Sequence, residues 1–441
     1  MRDLLVTLLI FGSVPVILVK PHVGVLVFSW ISYMNPHRLT WGFAYDFSFA
    51  LLVGSVTIVA WLISREPKRL PWSPVTVLLV AFTAWISITT YFATYPDAAY
   101  AKWDQTIKIL IFNGFVTLSL MGSKERLNAL IWVIVVSIGF FGVKGGIFTL
   151  LFGGESHVFG PEASFIEDNA SLALALLTVL PLMRYLQLNT RVRWLKWGLA
   201  AMMLLSVIAV LGSQSRGGLV GLVAMLLAFV IKTRKRLLIT LSIIMALVLG
   251  INFMPEKWHA RMGTIVEYQE DASAQGRLEA WEYGFNVAKD HPILGGGFRV
   301  FLGNVTEARS WGRAAHSIYF EVLGEHGFVG LILYLFLGVA TFMTGTSIIR
   351  RTRGNQNLIW ARDLASMIQV SLVTFGISGI FLSLAYFDLV YHLIVIMAIT
   401  NVLTKDAPSP SAKTIPIDDN LASIPDPSGI HRSEIQRDDA K

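Results

Sequence analysis

Residues 195–231 read LKWGLAAMMLLSVIAVLG, then SQSRGG, then LVGLVAMLLAFVI. The two flanking runs, 195–212 and 217–231, are continuously apolar and do not alternate. Each is close to the ~20 residues that a hydrocarbon layer of ~30 Å requires. Backbone in lipid must satisfy its own hydrogen bonds, so continuous runs imply helices and not a barrel. The four residues between the runs, 213–216, hold an arginine, Arg216, at a membrane boundary.

Working outward, similar runs recur near 4–19, 23–34, 46–63, 74–92, 106–121, 127–152 and 168–186, and again near 237–254, 318–348, 364–382 and 386–403. The expected fold is an all-α polytopic membrane protein of about twelve transmembrane helices, with one large periplasmic loop containing short helices. The run at 23–34 is short enough to be re-entrant instead of crossing. Composition agrees: 441 residues are 54% hydrophobic and 15% charged, with mean hydropathy +0.61. A soluble domain of this size needs more polar surface. Leu4–Val19 lacks the small-residue cleavage pattern of a removable signal peptide and is followed by another apolar run.

Cysteine is absent, which excludes disulfides and thiolate metal sites. No Asp-x-Asp, HExxH, Walker A or dinucleotide fingerprint is present, so neither a metal nor a cofactor is expected. The net charge of +7 does not mark a nucleic-acid binder, because the basic residues sit in short loops between apolar runs. Clusters at Arg65–Arg69, Lys124–Arg126, Arg184–Lys196, Lys232–Arg236 and Arg350–Arg362 all share one parity. By the positive-inside rule they are cytoplasmic, in a cell inner membrane. Transmembrane helices are then expected over 1–254 and 318–404, a periplasmic loop with the catalytic residues over 255–317, and a disordered cytoplasmic tail over 405–441. A loop that long is usually functional.

Arg216, in Ser213-Gln214-Ser215-Arg216-Gly217-Gly218, runs against the positive-inside bias. Ionisable groups at such places usually face a polar cavity, although an arginine reaching the headgroups also fits. Arg277, with Trp281 one turn on, opens an expected amphipathic helix within the loop; a surface salt bridge with Glu279 or Glu282 is its alternative reading. Gly295 and Gly297 follow a helix stop at His291-Pro292, in a turn that could expose amides to an anion or simply turn. His316 stands at the mouth of the helix from 318 and can accept a hydroxyl proton near neutral pH; a capping role is its plainer reading. Asn169, at the start of the helix from 168, is a weaker candidate for the same cavity. Two arginines and a histidine on one face suit phosphate and diphosphate. The periplasm offers no ATP, so a transferase there needs a donor already activated, such as a lipid-diphosphate sugar.

At these residues the chain resembles the O-antigen ligase/polymerase superfamily of bacterial membrane glycosyltransferases. The matching stretches are Ser213–Gly218, Gly276-Arg277 with Trp281, His291-Pro292-Ile293-Leu294-Gly295-x-Gly297, and Ala315-His316-Ser317-x-Tyr319 followed by Glu321, Glu325-His326-Gly327 and Gly330. The resemblance runs from about Phe159 to Val402. Tyr33-Met34-Asn35-Pro36-His37-Arg38-Leu39 is similar to the exosortase-associated O-glycosylation ligases. The resemblance implies that Arg216 and Arg277 bind the diphosphate of an undecaprenyl-linked glycan donor. His316 would then orient or deprotonate the acceptor hydroxyl, that of lipid A–core oligosaccharide in a ligase. A polymerase or a protein O-oligosaccharyltransferase would use the same donor. The family usually has His-Asn where this chain has His316-Ser317. A transporter, the remaining class, calls for charges at mid-membrane and inverted repeats, whereas here the charges gather at one surface.

Overall fold

The structure is a computed structural model that describes residues 1–66, 68, 70–232, 251–263, 272–303 and 314–405. Every regular element among them is helical: α1 (Arg2–Val19), α2 (Pro21–Met34), α3 (Phe49–Ile63), α4 (Pro74–Tyr91), α5 (Pro96–Ile109), α6 (Thr117–Leu120), α7 (Lys124–Leu151), α8 (Asn169–Asn189), α9 (Arg193–Gly212), α10 (Arg216–Lys232), α11 (Glu256–Gly263), α12 (Ala272–Asp290), α13 (Ile318–Arg351), α14 (Ile359–Ser378) and α15 (Asp388–Lys405). Short 3₁₀ and π segments join some of them. The expected run at 237–254, apart from its last four residues, and the tail beyond Lys405 lie outside the described residues.

Eight described helices are long and apolar enough to cross a membrane. The other expected crossings differ for local reasons. Asn35 in the left-handed region and Pro36 stop α2 after 14 residues. The run at 106–121 is interrupted by a π-helical stretch, Leu110–Val116, between α5 and α6. α3, with 15 residues, is a shorter apolar helix.

Helix starts are chemically specified. Ser73 accepts the Thr76 amide above Pro74, and Ser123 accepts the Arg126 amide. Asp168 accepts the amides of Ala170 and Ser171 at 2.9 Å. Each satisfies donors that the first turn leaves open. Between helices, small residues allow close approach. Along α7, a β-carbon at Gly142 would collide with Ser206, and one at Gly146 would fall 2.3 Å from the Leu205 carbonyl oxygen of α9. α8 and α15 are the most enclosed, with 83% of each spanning window buried.

The bundle has two distinct ends. At one, Arg126 of α7 bonds Glu66 beyond α3 at 3.0 and 2.7 Å. There too, Arg351 at the end of α13 reaches Asn401 and Thr404 of α15. The described members of the basic clusters lie at this end. At the opposite end meet the start of α8, the α9–α10 turn, the start of α13 and the start of α15. The amino terminus is there as well, since Asp3 accepts the Gly42 amide between α2 and α3 at 2.9 Å. The end of α2 meets the start of α15 there too, where Ser32 donates to Asp388 and Tyr33 bonds His392.

Candidate functional site

The α9–α10 turn begins the site. Ser213, Gln214 and Ser215 are buried, and Gln214 adopts a left-handed φ of 54°. The Gln214 side chain donates to the Gly154 and Glu155 carbonyls beyond α7. Ser215 caps α10 by accepting the Gly218 amide at 3.0 Å. Arg216 is thus the first helical residue, half-buried, at the positive end of the α10 dipole. Asn169 joins this turn through its own side chain, whose Nδ2 donates to the Ser213 carbonyl at 2.7 Å. Asn169 therefore ties α8 to the arginine turn.

Arg277 lies in the second turn of α12, which starts at Ala272 and so earlier than the sequence reading expects. The buried face of α12 is made of Gly276, Ala280, Gly284 and Ala288, small residues four apart. Of the apolar residues that follow Arg277 at helical spacing, Trp281 and Ala288 pack inward, whereas Phe285 is 46% exposed. Trp281 stacks on Phe320 of α13, with ring centroids 5.0 Å apart and planes 6° apart. Its indole Nε1 donates to the Ala315 carbonyl at 3.0 Å. In this way α12 grips the residue preceding His316.

His316 also has a positive φ, 49°, and its amide donates to Ser383 Oγ at 2.6 Å. Burial lowers the pKa of its imidazole below the ordinary value near 6.5. The Arg277 guanidinium lowers it further and the Asp168 carboxylate opposes them. Arg277, Asp168 and His316 thus share one electrostatic centre. At neutral pH the imidazole is uncharged and can accept a proton. Ser317, where the resembling family has Asn, keeps a buried hydroxyl with no hydrogen bond among the described residues.

The glycine turn serves a different purpose from an open anion nest. Gly295, Gly296 and Gly297 donate their amides to the carbonyls of His291, Gly324 and Glu325 respectively. Gly295 and Gly297 have φ of 64° and 77°. A β-carbon at Gly295 would fall 2.5 Å from the Gly327 nitrogen, where α13 breaks with φ 68°. The turn is a joint that locks α12 to the α13 kink, and its amides are spent there.

A second ionic group was not found by sequence reasoning. Glu325 accepts the Arg299 amide at 2.9 Å and the Tyr386 hydroxyl at 2.7 Å. Glu321 accepts the Ala385 amide at 3.1 Å. Lys102 of α5 and Arg299 bring positive charge to both carboxylates. The Lys102 ammonium also lies 5.3 Å from the Phe165 ring. The carboxylates stood in the sequence at helical spacing, but nothing local pointed to Lys102 or Ser383. No cluster of three or more metal-ligating His, Cys, Asp or Glu side chains occurs among the described residues.

Residues 201–335 match the family described as O-antigen ligase. Residues 1–191 match a family of unknown function (DUF5935). A search of curated proteins finds no match. The first stretch contains Arg216, Arg277, Trp281, Gly295, Gly297 and His316; the second contains Asp168 and Asn169.

Proposed function

Residues 201–335 match the family described as O-antigen ligase, and from that match we propose that the chain is a membrane glycosyltransferase using a lipid-diphosphate-linked glycan. The preferred reading is an O-antigen ligase of the cell inner membrane, acting at the periplasmic face. It moves a glycan from undecaprenyl diphosphate to a hydroxyl of lipid A–core oligosaccharide. A polymerase or protein O-oligosaccharyltransferase of the same superfamily differs only in the acceptor.

The observation that carries this reading is the His316 position: its backbone is fixed by Ser383 and by Trp281 on Ala315, and its buried imidazole feels both the Arg277 guanidinium and the Asp168 carboxylate. The acceptor hydroxyl gives its proton to His316 as its oxygen attacks the anomeric carbon. The bond from that carbon to the diphosphate oxygen breaks, and the electron pair leaves with the diphosphate. Arg216 and Arg277 neutralise the charge that accumulates there. A single displacement inverts the anomeric centre. Arg277 couples the two substrates: a diphosphate seated on it cancels the charge that depresses the His316 pKa. The base therefore strengthens once the donor is bound.

Purified protein incubated with undecaprenyl-diphosphate glycan, lipid A–core and EDTA tests the reading. A glycan–core conjugate supports the ligase, and longer lipid-linked glycan alone supports the polymerase. His316→Ala and Arg216→Ala are each expected to cut transfer ~10²–10⁴-fold in a folded protein. Transfer retained in both variants removes the site assignment.

A further inference from the structure

Between α2, α3 and α5 lies a cavity of about 700 Å³, within the size range of small-molecule sites. All of it is built from residues 28–165, outside the ligase-family match and within the part whose matching family has no known function. One wall is hydrocarbon: Phe28, Ile31, Leu51, Ile58, Ile111 and Phe112. The rim is polar, with Asn35, His37, Ser48, Gln105 and Ser164.

The rim faces the same end of the bundle as His316. Ser32, part of the lining, donates to the Asp388 carboxylate at the start of α15. Ser383, the acceptor of the His316 amide, stands five residues earlier in the chain. The loop between α7 and α8 spans the gap. Its Phe165 lines the cavity and lies 6.2 Å from Phe387, while Asp168 acts on His316.

Charge decides the occupant. The ionisable lining residues are Asp104, Lys108 and His37. Asp104 and Lys108 form an ion pair at 2.5 Å and cancel. Burial and the neighbouring Arg38 push the His37 pKa down to about 4, so it is neutral at pH 7. A diphosphate needs cations; the Lys102 ammonium, 5.3 Å from the Phe165 ring, acts on the Glu321 and Glu325 carboxylates and is not part of the lining, which itself supplies no net charge. Hydroxyl and amide side chains over an apolar wall suit sugar hydroxyls on a hydrocarbon anchor.

We propose that the cavity binds an uncharged glycolipid, its chain along the apolar wall and its sugar at the rim, at the end of the bundle that holds His316. This goes beyond the transferase reading: it gives the amino-terminal half a glycolipid site of its own and leaves the diphosphate to the arginines.

The test uses full-length protein in phospholipid nanodiscs and two photoreactive probes, each with a diazirine in its hydrocarbon chain. One is an alkyl β-glucoside and the other a polyprenyl diphosphate. Labelled peptides are mapped by mass spectrometry. The glucoside is expected to label α2, α3 and α5, and the diphosphate to leave them unlabelled. Ser55 lines the cavity and is exposed, so Ser55→Trp fills space without disturbing the core. It should cut glucoside labelling about tenfold, equivalent to ~1.4 kcal/mol of binding, while Ser55→Ala retains it and both melt like the parent. Equal labelling by the diphosphate, or glucoside labelling untouched by Ser55→Trp, overturns the proposal. Labelling does not depend on turnover. Intact transfer with no glucoside labelling therefore removes only the cavity assignment, whereas labelling without any transfer removes the enzyme reading.

Discussion

The two ends of the bundle use arginine in opposite ways. At the basic end, Arg126 forks onto Glu66 and Arg351 closes α13 onto α15. The helices there start and stop in ordinary conformations, and of the described residues with positive φ only Gly354 belongs to that end. At the other end, Arg216 and Arg277 share their surroundings with five non-glycine residues of positive φ: Asn35, Ala163, Gln214, Arg299 and His316. Such conformations cost of order 1 kcal/mol each or more, and they persist where the surroundings over-determine them. The cavity rim and the His316 centre are where this cost is concentrated. Charge type alone therefore separates the ends poorly, and backbone conformation separates them well.

Three substitutions sharpen or break that contrast, beginning with the largest effect. Gly295→Ala puts a β-carbon against the Gly327 nitrogen at a φ that favours glycine. The steric and backbone costs together should destabilise the protein by about 3 kcal/mol, visible as a lower melting temperature. A raised donor KM with unchanged melting would instead restore the turn as an anion nest. Trp281→Ala removes the stack on Phe320 and the bond to the Ala315 carbonyl. About 2 kcal/mol of stability should go with it, and kcat should fall more than donor KM rises, because His316 loses its anchor. Trp281→Phe, which keeps the stack, should recover most of the stability; unchanged kcat in both variants contradicts the positioning role. Arg126→Ala, at the basic end, should cost about 1 kcal/mol or less and leave kcat unchanged. A matching loss of kcat would mean that the two ends are not independent.

Much of this was legible in the sequence, for identifiable reasons. Long apolar runs specify helices because lipid offers the backbone no other partner, so α7, α8 and α13 were readable to within a few residues. Arg216 drew attention in the sequence because it runs against the positive-inside bias, and the structure places Arg277 and His316 in one electrostatic neighbourhood with Asp168. Trp281 was expected at the substrate, and its geometry is that of an anchor for Ala315. Gly295 and Gly297 were read as a turn, but not as a joint, since the carbonyls that take the Gly296 and Gly297 amides, those of Gly324 and Glu325, lie 28 residues away in the chain. The same distance hid Ser383, Lys102 and the cavity: each depends on which helices pack together, and no local spacing encodes that. The crossing count differed where the backbone departs from a plain helix, at Asn35-Pro36 and in the π stretch.

The most direct test of the central claim is the pH dependence of kcat/KM for the donor, which reports the free enzyme, in the parent and in Asp168→Asn. Asparagine can still cap α8, so the change is chiefly one of charge. With the His316 pKa lowered from its ordinary value near 6.5, the parent rate should be flat at neutral pH and fall only as acid protonates the imidazole. Asp168 is the charge that raises that pKa, so its neutralisation should move the acid limb to still lower pH. A limb that stays in place, or a rate that rises on acidification, contradicts His316 as the base.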